Sequence, residues 1–153
     1  MIFYDFQSSC FNYRAGGIII YKNKILLAQA EHSNYHFLPG GRIDFHESSS
    51  QGMIREIKEE LNLQAKINRL LWVIECNFEL KGKIVHQIGF YYLLDIPKTV
   101  LSTLPNKMTC QEKHLQITFS WFLLKELPQI NLLPPLLKQK LPLQLPSSIE
   151  HHI

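Results

Sequence analysis

Within the stretch "GGRIDFHESSSQGMIREIKEELNL", from Gly40 to Leu63, one arginine and three glutamates fall in six positions: Arg55, Glu56, Glu59 and Glu60. On a helix advancing about 100° per residue, with Arg55 at zero, Glu59 falls at about 40°, Glu56 at about 100° and Glu60 at about 140°. The three carboxylates therefore share one side. Ile57, Leu61 and Ile54 fall at about 200°, 240° and 260°, an apolar stripe suited to packing on a sheet, so the acid side is expected to point away from the core. Like charges three and four residues apart cost a few tenths of a kcal/mol per pair, so helix propensity does not account for the cluster. Two readings compete. Arg55, Lys58 and the glutamates can form a solvated, salt-bridged face, as most helical charge runs do. Alternatively, carboxylates on adjacent turns, with carbonyl groups from a glycine loop, supply the oxygen ligands that Mg²⁺ or Mn²⁺ prefers. Magnesium usually shares its coordination sphere with phosphates, so the second reading implies a phosphate compound as substrate.

The elements that would position these residues are legible around them. Ser48 to Ser50 offer capping groups at the helix start, and Asn62 can end it in a left-handed conformation. Gly52 projects on the carboxylate side and predicts a close neighbour, for which the Pro39-Gly40-Gly41 loop is the candidate. "AGGIIIYKNKILLAQA" (15–30) predicts a hairpin turning at Lys22-Asn23-Lys24. "LLWVIECNFEL" and "IVHQIGFYYLLDI" predict a second around Lys81-Gly82-Lys83, with Trp72, Ile74, Cys76 and Phe78 on one face. Residues 97–116 have no clear periodicity. "ITFSWFLL" predicts a last strand, and Pro134-Pro135 can open a short helix over "LLKQKL" that Pro142 stops. Strands, one strong helix, strands and a weak helix predict a layered α/β or α+β domain over residues 1–141. The proline-containing tail 142–153 is expected to lie outside it and to be mobile.

At this point the spacing becomes specific. From Gly41, five residues lead to Glu47, seven more to Arg55-Glu56, then Ile57, Lys58, Glu59-Glu60, Leu61, Asn62 and Leu63. This resembles the Nudix box of the MutT-like hydrolases, GX5EX7REUXEEXGU with U apolar, preceded by the usual "LPG". Asn62 stands where the family has Gly, and both tolerate a left-handed backbone. The flanking hairpins and "WFLLKEL" extend the likeness over residues 15–127.

The resemblance implies a Nudix fold, a mixed sheet between helices (α/β/α), and cleavage by water of the diphosphate linkage in a nucleoside diphosphate derivative, with Mg²⁺ as cofactor and Mn²⁺ as substitute. Carried over residue by residue, it makes Glu56, Glu59 and Glu60 the metal ligands together with the Gly40 carbonyl. Glu56 then helps deprotonate the attacking water, and Arg55 holds the glutamates through charge-assisted hydrogen bonds. Gly41 and Glu47 take structural places in the box, Glu47 either bracing the loop or acting as a helix-dipole partner. A further catalytic glutamate from outside the box is assigned to Glu112, with Glu75 and Glu79 as alternatives. Arg14, Tyr35 and His36 are candidate substrate contacts, although a sheet-edge charge and ordinary packing explain them as well. Gln87, where an acid would be the charged ligand, and His46, where relatives often have Gly, feed the alternative of a binding or sensor module that has lost turnover. Homodimers are frequent among such relatives.

Composition narrows the rest. A chain of 153 residues with 46% hydrophobic and 19% charged residues is expected to form one globular domain. A net charge of +3 without a basic block makes nucleic acid an unexpected partner. Three scattered cysteines indicate neither a disulfide framework nor a zinc knuckle. The start "MIFYDFQSSC" lacks a basic n-region and no apolar run approaches the length of a membrane span, so a cytoplasmic location is expected.

Overall fold

The computed structural model describes residues 1–112 and 114–153. Among these residues ten strands form two sheets. In chain order the elements are β1 (Phe3–Phe6), β2 (Ser9–Ile18), β3 (Ile20–Tyr21), β4 (Lys24–Ala30), β5 (Gly40–Arg42), α1 (Ser49–Leu61), β6 (Lys66–Leu80) and β7 (Lys83–Asp95). There follow α2 (Lys98–Leu101), β8 (Lys107–Thr109), β9 (Ile117–Leu123), a 3-10 helix (Leu124–Gln129), α3 (Pro135–Lys140) and β10 (Glu150–His152).

One sheet has the order β1-β2-β7-β6-β10, with β5 also paired to β2; the other runs β3-β4-β9-β8. The first is mixed: β2 lies parallel to β7 and β10 parallel to β6, while the remaining neighbours are antiparallel. The expected first hairpin is divided between sheets. Residues 15–18 of β2 pair with β7, and after Ile19 the chain pairs with β4 in the second sheet. Lys22 and Asn23 take positive φ (49° and 61°), the twist that two-residue hairpins favour, and Lys81 and Gly82 do the same in the β6–β7 turn (50° and 77°).

Both faces are covered, as an α/β/α arrangement requires. On one side Met53, Ile57 and Leu61 of α1 join Ala15, Leu26, Ile43, Tyr92, Leu94 and Phe119. On the other, Leu127 of the 3-10 helix, Leu132, and Leu137 and Leu141 at α3 join Ile18, Leu27, Trp72, Ile74 and Tyr91. The core stripe of α1 is therefore centred on Met53 and Ile57, both fully buried, with Ile54 only half-buried at its edge.

One expectation is corrected. The tail does not stand apart: Glu150 to His152 pair in parallel register with Trp72 to Ile74, and the Trp72 indole N–H donates to Glu150 (3.2 Å). A strand of three residues is too short to leave a periodic signal. The aperiodic stretch 97–116 contains α2 and β8, the latter recruited by β9 rather than by its own pattern. No helix among the described residues is long and apolar enough to cross a membrane. Phe119, with no exposed surface between the second sheet and α1's core, should be the most sensitive packing position there. Phe119→Ala should lower unfolding free energy by about 3–5 kcal/mol in urea denaturation.

Candidate active site

The helix that carries the acids is capped at both ends by its own sequence. The Ser48 hydroxyl accepts from the Gln51 N–H (3.2 Å), and Gln51 returns a bond to the Ser48 N–H (2.8 Å), completing a capping box. Asn62 closes the C-terminus with φ 53° and ψ 32°. These caps fix where α1 begins and ends, and hence where Arg55, Glu56, Glu59 and Glu60 project.

Arg55 organises the cluster. Its Nε and Nη2 donate to the two oxygens of Glu47 (3.1 and 2.7 Å), its Nη1 to Glu56 (2.8 Å) and Glu59 (2.9 Å), and its Nη2 also to the Arg42 carbonyl (3.0 Å). All five N–H groups of the guanidinium are thereby used. The bond to Glu47 is the chief cause of a strongly raised Arg55 pKa and, reciprocally, of a lowered Glu47 pKa. Glu47 also accepts from the Asp44 N–H (2.8 Å), so it ties the loop to the helix. It is this carboxylate, with Ile43, that a Cβ on Gly52 would strike at 2.8 Å. The close neighbour expected at Gly52 is thus Glu47 rather than the Pro39-Gly40-Gly41 loop.

That loop instead meets the acids. Gly40 has φ 137°, and a Cβ there would lie 2.2 Å from the Ala15 carbonyl; one on Gly41 would lie 2.5 Å from the Glu56 carboxylate. Gly40 has no room for a side chain, and one on Gly41 would displace the Glu56 carboxylate. The Gly40 N–H donates to Glu60 Oε2 (3.0 Å). Glu60 does not point away from the interior as the helical projection suggested: only 2% of it is exposed. Burial, and then repulsion from Glu56, push its pKa up to about 8, against one compensating bond from Gly40. Burial likewise raises Glu56, with the Arg55 bond opposing.

A cavity of about 630 Å³ brings the predicted residues together. Gly40, Gly41, Arg55, Glu56, Glu59 and Glu60 line it, as do Arg14, Tyr35 and Glu112. Glu112 arrives because the loop before β9 docks on α1, where the Gln111 N–H donates to the Glu60 carbonyl (2.7 Å), and its charge contributes to raising both Glu56 and Glu60. Of the alternatives, Glu75 pairs with His151 (2.9 Å) and neither it nor Glu79 lines the cavity. Arg14 donates to the Leu38 carbonyl (3.2 Å) and lies 5.6 Å from the Phe37 ring centroid. His36 is not brought in. Its ring stands edge-on to Phe122 at 5.0 Å, and its backbone bonds Asn131 and Leu133. His46 occupies a left-handed position (φ 69°), the conformation for which glycine is the easier residue.

The cavity also holds Gln87, noted in the sequence for the acid it replaces, and residues that sequence reading passed over: Phe3, Asn12 and Arg42. Arg42 alone left a signal, a cation directly after the paired glycines; Asn12 enters only through the parallel β2–β7 register.

The donor set fits a hard cation. Glu56 and Glu60 share a water-poor wall with more negative charge than Arg55 and Gly40 neutralise, and one oxygen of each of Glu56, Glu59 and Glu60 takes no protein hydrogen bond among the described residues. No ready-made cage of three acidic, histidine or cysteine side chains occurs among those residues, where Arg55 pairs with Glu56 and Glu59.

The protonation asymmetry has a consequence for stability. Between the ordinary value of 4.5 and about 8, folded Glu60 keeps a proton that the unfolded chain has released. The Glu60 contribution therefore declines as pH rises through that range. Glu47, held low, acts oppositely and only in acid, where protonation removes its bonds to Arg55. The metal-free protein should lose Tm from about pH 5 to about pH 8, and Glu60→Gln should flatten the slope, read by thermal denaturation across buffers.

The family model described as NUDIX domain matches residues 12–143. Over 84 residues the chain is 34% identical to an ADP-ribose pyrophosphatase of Methanocaldococcus jannaschii, covering 52% of this chain and 48% of that one. Over 73 residues it is 33% identical to a CTP pyrophosphohydrolase of Escherichia coli strain K12, covering 45% and 53%. The chain thus spans about half the length of the curated relatives it matches. A solved NUDIX hydrolase from Nitrosomonas europaea superposes with a TM-score of 0.59 over 97% of this chain and 81% of that one, at 21% identity, a likeness of fold.

Proposed function

The chain belongs to the NUDIX domain family, and from that premise we propose that it hydrolyses the diphosphate linkage of a nucleoside diphosphate derivative with Mg²⁺, or Mn²⁺ in its place. One observation carries the reading: Glu56, Glu59, Glu60 and the Gly40–Gly41 turn meet in a cavity that also contains the cations Arg14 and Arg42. Acids and arginines in one cavity suit a substrate that is itself a polyanion bound with a cation.

In this reading Glu56, Glu59, Glu60 and the Gly40 carbonyl hold the cation, whose chemistry is to neutralise phosphate oxygens and acidify bound water. Arg14 and Arg42 bind and orient the diphosphate. Glu56 accepts the proton of the attacking water, and its position is kept by Arg55 on one side and the bare Cα of Gly41 on the other. Water oxygen bonds to phosphorus as the bridging P–O bond breaks, giving a nucleoside monophosphate and a phosphorylated remainder. Glu112, brought to the cavity by the loop that docks on α1, is the outer glutamate that assists this step.

Release of nucleoside monophosphate or phosphate from a panel of nucleotides should require added Mg²⁺ and be lost in Glu59→Gln and Glu60→Gln. Glu56→Gln should reduce kcat by about 10²–10⁴-fold, the usual contribution of a positioned base. Absence of metal-dependent turnover with every diphosphate compound tested would favour a binding or sensor module instead.

A further inference from the structure

Away from the carboxylates, the sheet floor of the cavity carries a directed chain of polar side chains. Asn12 and Gln87 are register partners on β2 and β7. Arg42 Nε donates to Asn12 Oδ1 (3.0 Å), Asn12 Nδ2 donates to Gln87 Oε1 (2.7 Å), and Gln87 Nε2 donates to the Tyr91 hydroxyl (3.2 Å). A guanidinium can only donate, so Arg42 fixes which end of the Asn12 amide faces it, and Asn12 in turn fixes Gln87. Arg42 is itself held under the Phe3 ring, 3.8 Å from its centroid.

Each amide nitrogen carries two hydrogens and the chain uses one of each. The hydrogens left over belong to Asn12 and to Gln87, which is only 3% exposed, and both side chains line the cavity. An unmet N–H in such a place is costlier than an unmet lone pair, because oxygen already accepts one bond. On the same face of β2, β7 and β6, Cys10, Val85 and Phe78 form an apolar shelf beside the amides.

We propose that this shelf seats the nucleobase of the substrate, with Asn12 and Gln87 donating to a base edge that carries two adjacent acceptors. This rests on the nucleotide reading given above. Cytosine (O2, N3) and guanine (O6, N7) present such an edge; adenine and uracil alternate donor and acceptor. Arg42 acts as a positioning residue that sets the direction of both amides, and the shelf and amides select cytosine or guanine.

The test is binding, without turnover. Uniformly ¹⁵N-labelled protein is titrated with CMP, GMP, AMP, UMP and ribose 5-phosphate while the side-chain NH₂ signals of Asn12 and Gln87 are followed, assigned by their loss in Asn12→Asp and Gln87→Glu. Both signals should move with CMP and GMP and stay in place with ribose 5-phosphate. In Asn12→Asp, whose new charge also pairs with Arg42, the Kd for CMP should rise at least about tenfold more than that for ribose 5-phosphate. Arg42→Lys, which keeps charge without the fixed Nε donor, should erase most of the preference of CMP over UMP. Unmoved amide signals, equal binding of CMP and ribose 5-phosphate, or full CMP affinity in Asn12→Asp would each overturn the assignment. Nucleotide binding with no hydrolysis would instead overturn the proposed reaction and leave the base seat standing, and hydrolysis indifferent to the base would do the reverse.

Discussion

Everything at the acidic end of the cavity is arranged around one guanidinium. Arg55 bridges Glu47 in the loop, Glu56 and Glu59 on its own helix, and the carbonyl of Arg42 at the end of β5. A lysine could supply the charge but not five donors in a fixed plane. The guanidinium therefore converts a repulsive set of carboxylates into a defined geometry. It also locks α1 to the strand that forms one wall of the site.

Glu60 is the group that this arrangement leaves unresolved electrostatically. It is buried, the charges of Glu56 and Glu112 act on it, and among the described residues its side chain has one hydrogen-bond partner, the N–H of Gly40. A fold tuned only for stability would place an apolar side chain there, since replacing buried charge by well-packed hydrocarbon is often neutral or favourable. The retained acid makes chemical sense when a cation and a phosphate share the space. The same logic explains the bare Cα at Gly41, where any side chain would displace Glu56.

Much of this was written in the sequence because it is local. Box spacing placed Arg55 and the glutamates, and caps placed the helix; Ser48 and Asn62 are read directly from residue type. Non-local features were not legible. Asn12 acquires a role only from the parallel pairing of β2 with β7, residues 75 apart in the chain. His36 looked like a loop residue near the box, but the chain from β9 onward folds over it and sets its ring against Phe122. Helical projection assigned Glu60 an outward direction because it cannot see that the loops carrying Gly40 and Gln111 close over that side. The final strand escaped notice for a similar reason: three residues gain β structure from the edge of β6, not from their own pattern.

The central claim is that these acids hold a divalent cation at the Gly40–Gly41 turn, and paramagnetic Mn²⁺ tests it most directly. In a titration at sub-stoichiometric Mn²⁺, the backbone amide signals of Gly40, Gly41 and the Glu56–Glu60 turn should broaden first, and Glu60→Gln should abolish the effect. Broadening centred elsewhere, such as on Glu75 and His151, or none at all, would contradict it.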